Sequence, residues 1–225
     1  MADLEIENGI LKKYSASGSN AVIPQGVTGI GFCAFMGRED VERVDIPNGV
    51  KSIGRRAFLG CKRLCELRLP DGLTDIGMES FGGCESLMRI NIPDSVEVIE
   101  ESAFNFCSAL REVRISTRQL CLLEKNEEAY AAGVRSCVSL AEAGELSEDE
   151  LSELATSFYD NIDKLRRELS EEAVFVRFAL QRGIISVRLR YALLEICKNA
   201  ECRALLLDNV RGNTVNIDEE FGLDG

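Results

Sequence analysis

A period of 23 residues runs through the first half of this 225-residue chain and constrains its fold more than any other feature. The prolines keep this interval, and so do four phenylalanines and four isoleucines. The columns are Pro24, Pro47, Pro70 and Pro93; Phe35, Phe58, Phe81 and Phe104; and Ile30, Ile53, Ile76 and Ile99. Three residue types in one register indicate tandem copies of a single structural unit.

The repeated module reads LxxLxIPxxVxxIGxxAFxGCxx, where x is any residue. Its length lies within the range of leucine-rich repeats. The LxxLxI segment predicts one strand of a parallel sheet, and proline ends each strand because it has no N–H to donate. A single coil cannot bury its apolar side, so neighbouring coils share a core. We therefore expect a right-handed leucine-rich-repeat solenoid of four to five 23-residue coils over residues 21–119.

The spacing IGxxAFxGCxxLxxLxLP resembles the BspA-like, or Treponema pallidum type, leucine-rich repeats of bacteria over about residues 20–116. The opening segment resembles the hairpin that begins such arrays, and its Asn8-Gly9 pair suits a two-residue turn. The resemblance implies that residues 1–20 form a capping hairpin. It also implies a non-catalytic binding protein, several relatives being surface adhesins.

The repeat pattern changes at both ends of the array. Arg38 stands in the cysteine column of the first copy, and Glu100 and Phe106 replace glycines of the fourth. Ser116 stands where the next proline is due. The array is therefore expected to end close to residue 119.

From Leu120 the apolar spacing becomes about 3.6 residues, which indicates helices. Two amphipathic helices are expected around 130–141 and 151–169. Gly144 is a stop signal between them, and Ser147 with Glu150 matches a capping box. Shorter helices are expected at 171–182, 187–198 and 200–209. These elements predict an α+β protein with an all-α C-terminal domain over 120–210, acting as a cap or a second binding module, and an acidic tail over 211–225 that frays.

The net charge is −12, of which −3 belongs to residues 1–120 and −9 to the remainder. An acidic chain repels the phosphate backbone, so nucleic acid is not expected as a partner. No apolar run has the length of a membrane span, and the first residues lack a secretory signal. These features favour the cytoplasm, whereas a removed export signal would favour the cell surface.

Nine cysteines occur without a CxxC pair, and the chain has no histidine. Cys61, Cys84 and Cys107 share one repeat position, which indicates buried free thiols rather than disulfides or a zinc site. Residues 29–34 match the dinucleotide pattern GxGxxA, but the repeat columns account for this match. We expect no cofactor and no metal.

The solvent-facing positions of the LxxLxI strands define the concave strand face. Its columns are Glu42, Cys65, Met88 and Arg111; Arg43, Glu66, Arg89 and Glu112; and Asp45, Arg68, Asn91 and Arg114. Opposite charges in these columns can pair across strands and only stabilise the sheet. The alternative is a partner-binding patch, since Arg and Met are enriched at interfaces. The patch residues would be Arg68, Met88, Arg89, Arg111 and Arg114.

We expect a non-enzymatic protein-interaction scaffold that binds a protein partner through the concave strand face. The chain has no tryptophan, and no phenylalanine of the array is expected at the surface, which disfavours stacking of sugar rings. One alternative is a structural or self-assembling unit with no discrete ligand. Another is an enzyme that uses paired carboxylates. The candidates for the latter are Glu145, Glu148, Asp149, Glu150 and Glu153. The sequence indicates no oligomeric state.

Overall fold

The computed structural model describes residues 3–185 and 187–212. They fall into two compact units whose boundary lies between Ser157 and Phe158. The division of the chain at residues 20, 119 and 210 stays a prediction, and most of the acidic tail, residues 213–225, lies outside the described residues.

The first unit contains a solenoid with strands on two sides of each coil. The strands described are β1 Leu4–Glu7, β2 Ile10–Tyr14, β3 Asn20–Val22, β4 Gly29–Ile30, β5 Arg43–Asp45, β6 Ser52–Ile53, β7 Glu66–Arg68, β8 Asp75–Ile76, β9 Arg89–Asn91, β10 Val98–Ile99 and β11 Glu112–Arg114. One side forms a six-stranded sheet in the order β1-β2-β4-β6-β8-β10. The other side forms a three-stranded sheet, β3-β5-β7, and a two-stranded sheet, β9-β11. The predicted solenoid is confirmed.

The N-terminal hairpin consists of β1 and β2, the only antiparallel pair among the described strands. Asn8 and Gly9 connect them with φ angles of +50° and +78°. Two consecutive positive φ angles match the twist of a tight hairpin and explain the Asn-Gly pair. Since β2 pairs in parallel with β4 of the first coil, the hairpin covers one edge of the six-stranded sheet.

A ladder of stacked aromatic rings forms the centre of the solenoid. Phe35, Phe58, Phe81 and Phe104 are almost completely buried, with successive ring centroids 4.7, 5.5 and 5.4 Å apart. Tyr14 of the hairpin stacks on Phe35 at 4.6 Å and so extends the ladder into the cap. The predicted phenylalanine column is therefore the core of the solenoid.

The cysteine column lies beside this aromatic ladder. Cys61, Cys84 and Cys107 are at most 1% exposed. Each sulfhydryl donates to a backbone carbonyl of an earlier coil, at distances of 3.1, 3.4 and 3.1 Å. Burial raises the pKa of Cys61 and Cys107 to about 12, and burial also raises the pKa of Cys84 well above its ordinary value. These cysteines therefore act as small buried side chains, and their thiols react poorly because the thiolate is disfavoured.

The glycine after each isoleucine is required by the close approach of neighbouring coils. A Cβ on Gly31, Gly54 or Gly77 would lie 2.8 to 2.9 Å from a backbone atom of the adjacent coil or of the hairpin. Gly31 belongs to the GxGxxA match, and Ala34 of that match lies in a turn instead of a helix. Coil packing therefore explains the pattern.

Two phenylalanines of the array are exposed, so the expectation that all are buried was wrong. Phe32 is 63% exposed and Phe106 is 78% exposed. Both lie outside the buried phenylalanine column. Phe106 occupies the column of Gly37, Gly60 and Gly83, whose φ angles are +71°, +72° and +69°, and has a φ of +62° itself.

After the last coil, a 3-10 helix spans Thr117–Leu123 and is followed by helices α1 Glu127–Ala143 and α2 Glu148–Asp160. Gly144 ends α1 with a φ of +74°, as predicted. The Ser147 backbone N–H donates to the Glu150 carboxylate at 2.8 Å, and the Glu150 N–H donates to Ser147 Oγ at 3.3 Å. This reciprocal pair confirms the predicted capping box.

The second unit contains helices α3 Arg166–Glu171, α4 Ala173–Gln181, α5 Val187–Ile196 and α6 Ala200–Gly212. The prediction of one helix over 151–169 was wrong, because α2 ends at Asp160 and α3 begins only at Arg166. Between them, residues 162, 164 and 165 donate to carbonyls three residues earlier. A tightened turn keeps the apolar side chains of Leu165 and Leu169 buried. Apolar spacing alone does not distinguish such a turn from an α-helix.

Candidate functional site

The backbone hydrogen bonds along the concave strand face are interrupted at one step of the solenoid, a step being the junction between two successive coils. At three steps, two consecutive N–H groups donate to one carbonyl of the preceding coil. The N–H groups of Glu42 and Arg43 donate to the Ser19 carbonyl at 2.7 and 2.9 Å. Those of Cys65 and Glu66 donate to the Glu42 carbonyl at 2.9 and 3.1 Å. Those of Arg111 and Glu112 donate to the Met88 carbonyl at 2.9 and 3.2 Å. The structure shows no equivalent bond from Met88 or Arg89 to the Cys65 carbonyl within residues 3–185. The opposite β8–β10 step stays paired, and the Ser86 N–H donates to the Lys62 carbonyl at 3.0 Å, so what is missing at the open step is the strand pairing of β7 with β9.

The open step exposes apolar surface between β7 and β9. Leu67 is only half-buried, whereas Val44, Ile90 and Val113 at the same repeat position are at most 2% exposed. A cavity of about 610 Å³ lies at the step. Its lining includes Leu67, Arg68, Met88 and Arg89, and Met88 is 57% exposed. Residues of β5 and β7 line it as well, namely Arg43, Val44, Asp45, Cys65 and Glu66. The structure thus brings three predicted site residues together around an apolar group.

The charges of the middle column pair at one step only. Arg43 forms an ion pair with Glu66 across β5 and β7. Glu112 does not pair with Arg89 across the sheet but accepts from Arg114 Nε of its own strand at 2.7 Å. Within the described part of the chain, Arg68 and Arg89 form no ion pair. Cross-strand pairing therefore does not account for these two arginines.

The other two predicted site residues line a second cavity, of about 1050 Å³. Arg111 and Arg114 come from the last coil, and Arg135 comes from α1. The Arg135 Nη1 donates to the Arg111 carbonyl at 3.3 Å, which holds the helix against the end of the sheet. Sequence reasoning missed Arg135, because the helical pattern over 130–141 does not say which strand the helix meets.

The acidic cluster after α1 forms no enclosed site. Glu145, Glu148, Asp149 and Glu153 are exposed, and Glu150 is engaged in the capping box. The hydrogen bonds from Ser147 lower the pKa of Glu150. Glu153 accepts from the Thr117 hydroxyl at 2.7 Å. Glu145 lines the second cavity, whereas the other carboxylates are spread over the first turns of α2 and form no paired acid and base there.

The described residues contain neither a metal-binding cluster nor a candidate membrane span. No three metal-ligating side chains are grouped within them. None of the helices found there is both long and apolar enough to cross a membrane.

Comparison with known proteins decides the family. The BspA type leucine-rich repeat region matches residues 5–125 in six copies, which is more than half of the chain. The chain belongs to the BspA-type leucine-rich repeat family. The resemblance of the repeat spacing to this family is therefore confirmed. Leucine-rich repeat families serve in general as protein-interaction scaffolds and are generally non-enzymatic.

Solved structures similar to this BspA-type protein come from several bacteria. The T. pallidum leucine-rich repeat protein is 28% identical over 51% of this chain and 68% of its own, with a TM-score of 0.41. A leucine-rich cell surface protein of Faecalibacterium prausnitzii A2-165 is 29% identical over 51% and 31% of the two chains, with a TM-score of 0.48. A protein of Bacteroides capillosus is 30% identical over 49% and 91%, with a TM-score of 0.43. No curated protein matches the chain.

Proposed function

We propose that this BspA-type protein is a non-enzymatic scaffold that binds a protein partner through the concave strand face. The contacts are the five residues named from the sequence, Arg68, Met88, Arg89, Arg111 and Arg114. The observation that carries the proposal is the group at the open step. Arg68 and Arg89 form no ion pair within residues 3–185 and 187–212, and they flank the exposed Met88 there, in a cavity that Asp45 and Glu66 also line. If the charges of this face only stabilised the sheet, each of these two arginines would form an ion pair with a carboxylate on a neighbouring strand.

The electrostatics of this face differ from those of the whole chain. The chain carries a net charge of −12, whereas the columns of the concave strand face hold five arginines and four carboxylates. Among the described residues of that face, Arg43 pairs with Glu66 and Arg114 pairs with Glu112. Arginine combines a charged fork with an apolar stem and is enriched in protein interfaces. A face with a small positive charge on an acidic protein favours one orientation of an approaching partner.

The cytoplasm is the compartment that the cysteines favour. All nine are free thiols, and those in the repeat column are buried beside the aromatic ladder. Such thiols persist in a reducing compartment. The cell surface is the alternative, and the F. prausnitzii relative is described as a cell surface protein.

Affinity capture followed by mass spectrometry tests the function and the compartment together. The purified chain is exposed in one arm to lysate of its source bacterium and in the other to extracellular host proteins. The double variant Arg68→Glu/Arg114→Glu is expected to lose the captured partner while its thermal unfolding is unchanged. The matched control is Lys12→Glu/Arg55→Glu, which makes the same change in charge at exposed positions along the six-stranded sheet.

Capture by the control but not by the site variant supports the concave strand face, and the arm that yields the partner identifies the compartment. A partner that both variants retain equally would refute the site. If neither arm yields a specific partner and sedimentation shows self-association, the protein is instead a self-assembling unit.

A further inference from the structure

We propose that the β7–β9 step is a joint that alternates between two patterns of backbone hydrogen bonds. One is the pattern in the structure, in which β7 and β9 are unpaired. The other is the strand pairing that the other three steps of the concave strand face show. The existence of the joint does not depend on the function proposed above.

At this step one backbone bond takes the place of the strand bonds. The Ser86 N–H donates to the Lys62 carbonyl at 3.0 Å. Within residues 3–185, the three paired steps have no such bond between the equivalent residues, which are Asp40 and Ala16, Arg63 and Glu39, and Ala109 and Glu85. The two patterns therefore do not occur together at any of the four steps.

The groups that would form the paired pattern belong to the same step. They are the N–H groups of Met88 and Arg89 and the Cys65 carbonyl, and no bond joins them within residues 3–185. Pairing would break the bond from Ser86 and form two bonds in its place. The two patterns differ by one hydrogen bond, and a single intramolecular hydrogen bond makes only a small net contribution to stability. Both patterns are therefore within reach of the folded protein.

Leu67 favours the unpaired pattern. The other members of its column have a branched Cβ and are at most 2% exposed, whereas Leu67 lacks this branch and is half-buried. These other members are Val44, Ile90 and Val113. Side chains with a branched Cβ pack well on the pleated surface of a sheet. The one residue of the column without the branch thus lies in the one strand that does not pair with its successor.

The joint lies within the proposed contact surface. Arg68 belongs to β7, Arg89 belongs to β9, and Met88 directly precedes β9. A change of pattern alters the spacing between Arg68 and the other two residues. A partner that contacts both strands and fits one spacing better would shift the population toward that pattern.

Amide hydrogen exchange of the 15N-labelled protein, followed by NMR without any ligand, tests the joint. The N–H of Ser86 is bonded in the structure, whereas those of Met88 and Arg89 lack the carbonyl partner that Arg111 and Glu112 have. We expect Met88 and Arg89 to be protected at least about tenfold less than Arg111 and Glu112, which is about 1.4 kcal/mol in the free energy of opening.

Leu67→Ile is the variant that should move the equilibrium, because isoleucine keeps the number of atoms and restores the branched Cβ of the column. It should raise the protection of Met88 and Arg89 by about the same factor and lower that of Ser86. Leu69→Ile is the matched control, since Leu69 is already 3% exposed and should leave all three amides unchanged. The same isomeric change is made there in a column that otherwise holds Ile46, Ile92 and Ile115.

Opposite changes at Ser86 and at the Met88 and Arg89 amides are the signature of an exchange between two patterns. If Leu67→Ile raised the protection of all three amides, the variant would only be more stable, and the joint would be refuted. Equal protection of Met88, Arg89 and their counterparts in the parent would refute it too, because the step would then be paired. An unchanged exchange profile in Leu67→Ile would also overturn the inference.

This result is separate from that of the capture experiment, because no partner is present. If capture identifies the concave strand face but the exchange experiment shows no reciprocal change, the proposed function stands and the joint fails. If the reciprocal change is seen but the Arg68→Glu/Arg114→Glu variant keeps the partner, the joint stands and the proposed site fails.

Discussion

In the inner coils of the solenoid, each side chain packs between copies of itself, whereas in the end coils one of those neighbours is missing. Phe58 stacks between Phe35 and Phe81, and the Cys84 sulfhydryl donates to the Phe58 carbonyl of the preceding coil. The positions where the repeat is broken lie in the first and the fourth copies. Comparing the two regions shows that Arg38 in the first copy, and Gln119 and Asn126 after the fourth, supply contacts that a further coil would otherwise have made.

The first coil uses Arg38 in place of the cysteine. Its guanidinium donates to the carbonyls of Tyr14, at 2.8 Å, and Ala16, and it lies 5.4 Å from the centroid of the Tyr14 ring. It also forms a two-pronged ion pair with Asp40. A cysteine is too short to reach these groups. The substitution therefore ties the capping hairpin to the first coil.

The last coil uses two buried amides. The Gln119 Nε2 donates to the carbonyls of Pro93 and Val96 at 3.2 and 2.8 Å. The Asn126 amide accepts from the Phe104 N–H and donates to the Glu100 carbonyl, each at 3.2 Å. In the inner coils, the N–H at the position of Phe104 donates to the carbonyl of the next coil, as Phe58 does to Ser80 and Phe81 to Ala103. Asn126 thus replaces a backbone carbonyl that the ended array cannot provide.

Of the three substitutions predicted for the two ends of the solenoid, removal of the Asn126 amide should have the largest effect on the free energy of unfolding. Asn126 is 1% exposed, so Asn126→Ala leaves a buried N–H and a carbonyl without partners, and we expect a loss of about 1–3 kcal/mol in the free energy of unfolding. Urea unfolding followed by circular dichroism measures it. Asn105→Ala, an exposed asparagine of the same coil, is the control. Equal losses in the two variants would show that Asn126 does not cap the array.

Phe106 is the departure that capping does not explain, because its ring is 78% exposed and its backbone has a φ of +62°. A left-handed conformation costs a residue with a Cβ about 1–2 kcal/mol. Phe106→Gly relieves this cost, although glycine also loses more backbone entropy on folding. We expect the variant to be more stable by up to about 1 kcal/mol in urea unfolding.

The reverse change is available in an inner coil as the control for Phe106. Gly83 has a φ of +69°, and a Cβ there would meet only ordinary contacts at 3.7 Å. Gly83→Ala should therefore lose about 1 kcal/mol through backbone conformation alone. A Phe106→Gly variant less stable than the parent would mean that the ring packs more strongly than its exposure indicates.

The inner coils could be predicted from the sequence because three residue types keep one interval, and the register of the sheets follows from it. The open β7–β9 step could not, since β7 and β9 have the same repeat residues as the paired strands. The five site residues could be named by their column, but their division between two cavities depends on that step and on the position of Arg135 in α1. The exposure of Phe106 follows from a single substitution in a glycine column.

The smallest predicted effect concerns the ion pair of the first coil and depends on pH. The hydrogen bonds from Arg38 lower the pKa of Asp40 to about 2. Because the folded-state pKa lies below the unfolded one, the pair stabilises the protein above the unfolded pKa and loses this contribution as the pH falls from about 4 to about 2. The Asp40 side chain is 48% exposed, so solvent screening limits the contribution to less than about 1 kcal/mol.

Asp40→Asn should therefore lower the free energy of unfolding slightly at neutral pH, and the difference from the parent should vanish near pH 2. Urea unfolding across this range measures it, with Asp94→Asn at an exposed site as the control. A difference that persists at low pH would mean that Asp40 holds the cap through its shape and not its charge, and the two ends of the solenoid would then be capped in the same way, by neutral hydrogen bonds.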